Sequence, residues 1–367
     1  MSPRRTTSSK HTRTAPPAIS RRRAVVLLVA GALAGASLLV LLPALANIGD
    51  TWHRLGSGDG RWLLLALGFE ALSFLGHIVL FRAVSVDAGS RVGMRASTEI
   101  TFAGHAATRL FASGGAGGVA LTAWALRRSG MERGEVAARM TTFLVLLYSV
   151  YMAALIVGGA GLFTGLLPGD APVLLTLVPA AFGAAVIAVA LALPRLAVRL
   201  GRSNGRLRTI APAAASVGDG VRASLRMARR LDPGLIGALL WWAGDIAVLW
   251  ACFNAFGAAP AAATIVVAYF VGMLANTLPL PGGVGGVDGG MIGALVAFGA
   301  DPSLAVVAVL AYRGFAFWLP IAPGAIAWVS LRRTVARWDR EAAVAATPPL
   351  RLAPASAVAE PIPALAA

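Results

Sequence analysis

The chain is predicted to be an all-α, polytopic membrane helix bundle, and three observations predict it. Hydrophobic residues make up 57% of the 367 residues and charged residues only 13%, about half the charged share of an ordinary soluble domain. The apolar residues gather in blocks, several of them about 18 residues or longer, the length at which a helix crosses roughly 30 Å of hydrocarbon. Between the blocks lie most of the arginines, and the arginine-rich connections alternate with connections that have almost none.

Residues 1–23 hold seven basic residues and no acid, and they lead into an apolar run over 24–46. This predicts a basic cytoplasmic tail and a first span. A cleavable signal peptide is the rival reading, since Ala44-Leu45-Ala46 fits a small-residue cleavage site, although the apolar run is longer than usual for one. Further apolar blocks run from about 61 to 81, 96 to 112, 117 to 129, 141 to 166, 172 to 193, 235 to 257, 262 to 280, 286 to 300 and 303 to 331. The blocks define a transmembrane domain over 24–335, followed by a cytoplasmic tail over 336–367 whose Ala- and Pro-rich end from Glu341 reads as disordered.

Arginine placement sets the orientation, because cytoplasmic connections keep Lys and Arg while translocated ones lose them. The N-terminal tail, the connection 195–233 and the segments 82–95 and 127–139 are basic, whereas those near 47–60, 167–171, 258–261 and 301 share one arginine, Arg54. Both termini are therefore expected in the cytoplasm and the protein in the plasma (inner) membrane. Within 195–233, Val217, Val221, Leu225 and Ala228 recur at helical spacing, with Arg222, Arg226, Arg229 and Arg230 mostly on other faces. Two readings fit, a helix on the inner leaflet and a solvated basic loop.

The net charge of +16 does not form one basic domain, so anionic lipid headgroups, not nucleic acid, are the expected partner. One cysteine, Cys252, allows neither an intrachain disulfide nor a cysteine metal cluster. No cofactor and no metal are expected.

A repeat stands out. Gly114-Gly115-Ala116-Gly117-Gly118-Val119 recurs 168 residues later as Gly282-Gly283-Val284-Gly285-Gly286-Val287, each copy between two short apolar segments. These are two glycine-broken pairs, half-helices or re-entrant hairpins. With three spans between them, the second pair is entered from the opposite side, which makes the repeat inverted. Inverted repeats with interrupted helices mark many transporters, whose sites lie near the breaks. The breaks free backbone groups that lipid cannot satisfy but a polar cavity can.

Ionisable residues inside apolar blocks are costly and must face protein, water or substrate. Arg109, Asp288 and Arg313 adjoin the breaks and are the primary candidates. Glu70 and His77, with Ser73 between them, share one helix face. Glu99 and His105 lie in the first broken segment, and Asp245 follows Trp241-Trp242. These last five, Glu70, His77, Glu99, His105 and Asp245, are candidate polar lining; each is equally consistent with an ion pair that only ties helices together.

The run Asn276-Thr277-Leu278-Pro279-Leu280-Pro281-Gly282-Gly283-Val284-Gly285-Gly286-Val287-Asp288, followed by Ala311-Tyr312-Arg313 and Phe317-Trp318-Leu319-Pro320, resembles the membrane domain of lysylphosphatidylglycerol synthases and their stand-alone, flippase-like relatives. The resemblance covers most of 24–335, although only this motif is specific. It implies a lipid flippase, and the headgroup site expected at the two glycine breaks is drawn from Arg109, Gly114, Gly115, Asn276, Pro281, Gly282, Gly283, Asp288 and Arg313. The first repeat departs from the family: its usual Gly-Glu and following arginine stand here as Gly118-Val119 and Thr122, so no role passes to that glutamate. The soluble domain that attaches the amino acid in full-length synthases has no counterpart in the sequence, so aminoacylation is not expected.

The leading expectation is thus a flippase or lipid-linked substrate transporter, with Arg109 and Arg313 binding phosphate through their forked donors. A membrane transferase on a phospholipid or polyprenyl substrate is the alternative; no H-E-x-x-H, G-x-S-x-G or phosphate-loop pattern occurs. A third reading is a non-catalytic membrane subunit partnered with a lipid-modifying enzyme or glycosyltransferase.

Overall fold

The structure, a computed structural model, describes residues 55–87, 90–110, 116–169, 172–201, 207–275 and 285–346. The expected first span, the tail 1–23, the residues Gly114, Gly115, Asn276, Pro281, Gly282 and Gly283, and the end of the C-terminal tail lie outside these. Every regular element among the described residues is helical, and five helical stretches are long and apolar enough to cross a membrane.

The centre is an antiparallel pair. Helix α1 (Gly60–Ser85) starts where the Asp59 side chain accepts from the Arg61 N–H at 2.9 Å, satisfying one of the orphan donors of a first turn. It runs the length of α7 (Leu235–Phe256). Asp59 N–H donates to Ala255 O at one end (2.9 Å), Ser73 Oγ donates to Trp241 O in the middle (2.8 Å), and Ala83 meets Gly234 at the other end. Small residues make this approach close, the usual solution where no hydrophobic force joins two helices in lipid. A Cβ on Gly76 would lie 2.7 Å from Gly237 O and from Trp241 N, and one on Gly244 would lie 2.9 Å from Phe69 O and from Ser73 N.

These contacts are reciprocal. Gly76 and Gly244 are 168 positions apart, as are Phe69 and Gly237, and Ser73 and Trp241. The approach of Gly76 to Gly237 and Trp241 is therefore the counterpart of the approach of Gly244 to Phe69 and Ser73, the self-complementary pattern of a two-fold contact.

Two pairs of short helices follow. The first is α2 (Met94–Leu110) with α3 (Ala116–Arg128), and the second is α8 (Ala262–Leu274) with α9 (Gly286–Ala297). Their lengths of 17, 13, 13 and 12 residues correspond to about 18–26 Å at 1.5 Å per residue, short of a 30 Å core. In the first pair Gly104 packs on Thr122 and Gly118, and in the second Gly272 packs on Gly290 and Met291. Again Gly104 and Gly272, and Thr122 and Gly290, differ by 168 positions.

The long helices α4 (Arg133–Phe163), α5 (Val173–Gly201) and α11 (Ile321–Ala346) and the 12-residue α10 (Pro302–Arg313) stand around them. Asp301 caps α10 by accepting from Leu304 N–H at 2.8 Å. Between α10 and α11 lies one π-helical turn, Gly314–Trp318, closed by Leu319 N–H to Gly314 O at 2.9 Å. Pro320, lacking an N–H, follows directly.

Two expectations change. The connection 195–233 holds α6 (Leu207–Arg229), and its apolar stripe is not simply laid on a leaflet. Val221 and Ser224 are buried, Thr142 Oγ1 donates to Gly220 O at 3.1 Å and Ser224 Oγ to Thr142 O at 3.3 Å. Gly220 leaves room for Thr141 and Ala138 of α4, so the stripe packs on protein while Arg226 and Arg229 stay exposed. In addition α11 runs to Ala346, past the expected tail boundary at 336, because Leu331, Val335 and Trp338 continue a buried stripe at helical spacing.

Candidate functional site

A cavity of about 760 Å³ opens between α2, α3, α4, α5, α7 and α10. The wall from α5 and α6 is apolar, with Phe182, Val186, Ile187, Leu191, Val221 and Leu225. The wall from α2, α7, α8 and α10 carries Arg109, Asp245, Tyr269, Tyr312 and Arg313. The two kinds of lining meet in one volume.

Arg109 stands in the last turn of α2. Its Nη2 donates to Ala316 O of the π-turn at 2.5 Å, and its Nη1 is buried without a protein partner. The guanidinium lies 5.9 Å from the Phe74 ring and 6.0 Å from Phe317. Arg313 covers the same Phe317 ring at 4.5 Å. One aromatic ring thus serves two cations, each such contact contributing on the order of 1 kcal/mol.

Arg313 Nε is 2.6 Å from Asp288 Oδ1, and both residues are buried. The other oxygen of Asp288 accepts from Gly285 N–H at 3.0 Å and so caps α9. Gly285 has φ of 82°, a conformation that glycine adopts without strain. A single carboxylate therefore fixes the start of α9 and the cation on α10. This brings together two of the residues singled out by the broken-helix motif.

Asp245, on α7, accepts from the Tyr269 hydroxyl and from the Tyr312 hydroxyl, the latter at 3.0 Å. Arg109 is within electrostatic reach of both Asp245 and Glu70. His77 and His105 line the cavity with ring nitrogens 3.4 Å apart, and His105 stacks on Trp241 at 4.8 Å. Glu70 is buried but does not line the cavity. Glu99 is elsewhere: Arg95, Ser330 and Thr334 donate to its carboxylate at 2.9, 2.6 and 2.8 Å, which ties α2 to α11.

The model of the lysylphosphatidylglycerol synthase TM region matches residues 25–324, a stretch that includes every cavity-lining element. The chain belongs to this family. Two UPF0104 membrane proteins of Methanothermobacter thermautotrophicus are similar to it. One is 26% identical over 329 residues, 84% of this chain and 95% of that protein. The other is 35% identical over 94 residues, 25% of this chain and 27% of that protein. Together with its long apolar helices, this makes the chain a multi-pass membrane protein.

In this lysylphosphatidylglycerol synthase TM-region protein, several lining residues escape sequence reasoning. Tyr269 and Tyr312 are 24 and 67 positions from the Asp245 that they serve, and Phe317 gains meaning only when two arginines converge on it. Tyr312 does stand inside the motif Ala311-Tyr312-Arg313, which is the one signal that points to it. The π-turn carbonyl that receives Arg109 leaves no signal except the nearby Pro320.

Proposed function

We propose that the protein moves a phospholipid or lipid-linked substrate between leaflets, with the polar headgroup in the cavity and the acyl chains along its apolar wall. The observation that carries this reading is the joining of a charged wall and a wholly apolar wall in one 760 Å³ volume. A small soluble substrate has no use for the second wall. A lipid needs both.

Arg109 is the first phosphate donor in this reading. Its Nη2 is anchored on Ala316 O and its Nη1 has no protein partner, so the guanidinium is held in place with a donor left over. Charge-assisted bonds of this kind are about twice as strong as neutral ones. Arg313, oriented by Asp288, adds a second positive charge, and the Tyr269 and Tyr312 hydroxyls hold Asp245 in one position. Asn276, Pro281, Gly282 and Gly283 belong to the same proposal through the family resemblance, and Gly114 and Gly115 through the first glycine break.

The reciprocal contacts of α1 with α7, and of each short pair, favour two halves related by an inverted repeat about the α1–α7 crossing. In a transporter of that kind the same site opens to one side and then to the other. The orientation follows from charge: the connections holding α6 and the α3–α4 corner face the cytoplasm of the inner membrane, where Arg226 and Arg229 meet anionic headgroups. With Cys252 replaced, cysteine at Ser57 should react with an impermeant reagent in intact cells and cysteine at Ser203 only after permeabilisation. The reverse pattern contradicts the orientation.

Filling the apolar wall tests the reading. Ala190 of α5 lines the cavity from a mostly lipid-exposed helix, so Ala190→Trp adds bulk without disturbing the core. The purified variant should retain at least about tenfold less co-purifying phospholipid than wild type, a loss of about 1.4 kcal/mol in affinity. Undiminished lipid, measured by native mass spectrometry, would take the cavity out of the proposal.

A further inference from the structure

Glu70 is 5% exposed, and its Oε2 has no hydrogen-bond partner. It sits ten residues into α1, about 15 Å along the helix at 1.5 Å per residue, near mid-membrane for a helix of this length. The groups facing it come from each packed element. Helix α7 presents Asp245 and α2 presents Arg109, and His77 follows two turns on along α1 itself, with His105 of α2 beside it. Beyond Asp245 stand Tyr269 of α8 and Tyr312 and Arg313 of α10. The π-turn has no titratable side chain, and α4 faces α1 with Phe143 and, at the far end, Arg139, which is bound to Asp87 and Glu135.

The charges of this cluster do not balance. Among the described residues it holds three buried carboxyls, Glu70, Asp245 and Asp288, against two guanidiniums, Arg109 and Arg313. Asp288 and Arg313 compensate one another at 2.6 Å. That leaves Arg109 as the cation for both Glu70 and Asp245, each within its electrostatic reach. Asp245 has two hydroxyl donors to support an anion, whereas Glu70 has none. The empty cluster thus carries one excess negative charge and an entering anion adds a second; of the carboxyls that can then take a proton, Glu70 is the one without donors.

We propose that Glu70 is a proton site and that each anionic headgroup entering the cavity travels with one proton on it. The inference rests on the lipid-transport reading above and supplies its energy source. A phosphodiester at Arg109, with Glu70 and Asp245 both ionised, would leave two uncompensated negative charges in the membrane interior. A proton added to the Glu70 carboxylate from water on the entry side removes one of them. On the exit side the phosphate departs and the Glu70 O–H bond breaks, returning the proton to water. Anion and proton move in the same direction and together carry no net charge. By linkage, proton binding strengthens headgroup binding by the same factor as headgroup binding strengthens proton binding.

The experiment uses the whole protein in liposomes holding fluorescent phosphatidylglycerol. A pH difference of about one unit should drive that lipid to about a tenfold excess in the leaflet on the alkaline side, at one proton per lipid. A membrane potential imposed without a pH difference should leave the leaflets equal. Glu70→Gln should lose the response to the pH difference, and Glu70→Asp should regain part of it. A wild-type distribution that ignores the pH difference, or a Glu70→Gln distribution like that of wild type, overturns the proposal. If the wild type moves no lipid, the transport reading fails by itself and the proton site is judged in detergent. Short-chain phosphatidylglycerol added to lightly buffered protein should then draw about one proton per bound lipid into the wild type and none into Glu70→Gln. Binding without proton uptake, or no binding at all, ends the proposal.

Discussion

Replacing Arg109 by glutamine is expected to slow lipid movement by about 10- to 100-fold, the loss of one charge-assisted bond of about 1.5–3 kcal/mol. The guanidinium of Arg109 is fixed at one end by Ala316 O and carries a buried donor with no protein partner at the other, which the proposed headgroup would satisfy. Arg109→Lys should recover part of the rate, since it keeps the charge but not the fork. Arg313→Gln should act differently. It strands Asp288, 8% exposed, without its cation, and breaking a buried pair on one side costs about 3–5 kcal/mol. Its first symptom is therefore lost yield of folded protein, with lost transport in what remains. Swapping the charges, Asp288→Arg with Arg313→Asp, restores the pair but leaves Gly285 N–H without its cap, so yield should return only partly. Rates in liposomes and yields by detergent gel filtration separate the two cases; equal rates in wild type and Arg109→Gln would remove Arg109 from the site.

The second large effect concerns one methyl group on α1. Gly76→Ala puts a Cβ at 2.7 Å from Gly237 O, Leu240 Cβ and Trp241 N, a clash with backbone that no rotamer relieves. Overpacking of this sort costs about 1–3 kcal/mol and sometimes more, and at the crossing of the two central helices it should fall at the upper end. Gly68→Ala, on the same helix, meets nothing within 4 Å and should be neutral or stabilising by up to about 1 kcal/mol through helix propensity. Melting of the two variants in the same detergent checks the contrast. Equal melting temperatures would mean that α1 and α7 do not approach through these glycines.

The long helices were legible because each is an apolar block, and the blocks fell close to the observed ends of α1 and α7, whereas the expected single block 303–331 is divided by the π-turn into α10 and α11. The four short helices fall in the four short apolar blocks that flank the glycine strings, while the breaks themselves, over 111–115 and 276–284, lie outside the described residues. Less visible was the 168-residue correspondence within the helices. Gly76 and Gly244, or Gly104 and Gly272, are single glycines among 42, and only the contacts show that each marks a crossing. The site was half legible. Arg109, Asp288 and Arg313 stand next to the breaks, where membrane energetics draws attention to any charge. Glu99 was a candidate for the polar lining, yet its partners Ser330 and Thr334 are more than 230 positions away, and long-range pairing of this kind leaves no local pattern. The tyrosines around Asp245 were hidden for the same reason. The stripe on α6 had the correct period but the wrong expected neighbour, since a 3.6-residue period does not distinguish lipid from the flank of α4.

The most direct test of lipid movement is the leaflet exchange of fluorescent phosphatidylglycerol in liposomes, with purified wild-type protein and without it. Added dithionite bleaches only the outer leaflet. The account predicts that wild-type protein lets the reagent bleach nearly all the label over time, while protein-free liposomes and those holding Ala190→Trp keep about half of it in a protected inner leaflet. Wild-type liposomes that retain the same protected half as empty ones, at a protein density of several copies per vesicle, would contradict it.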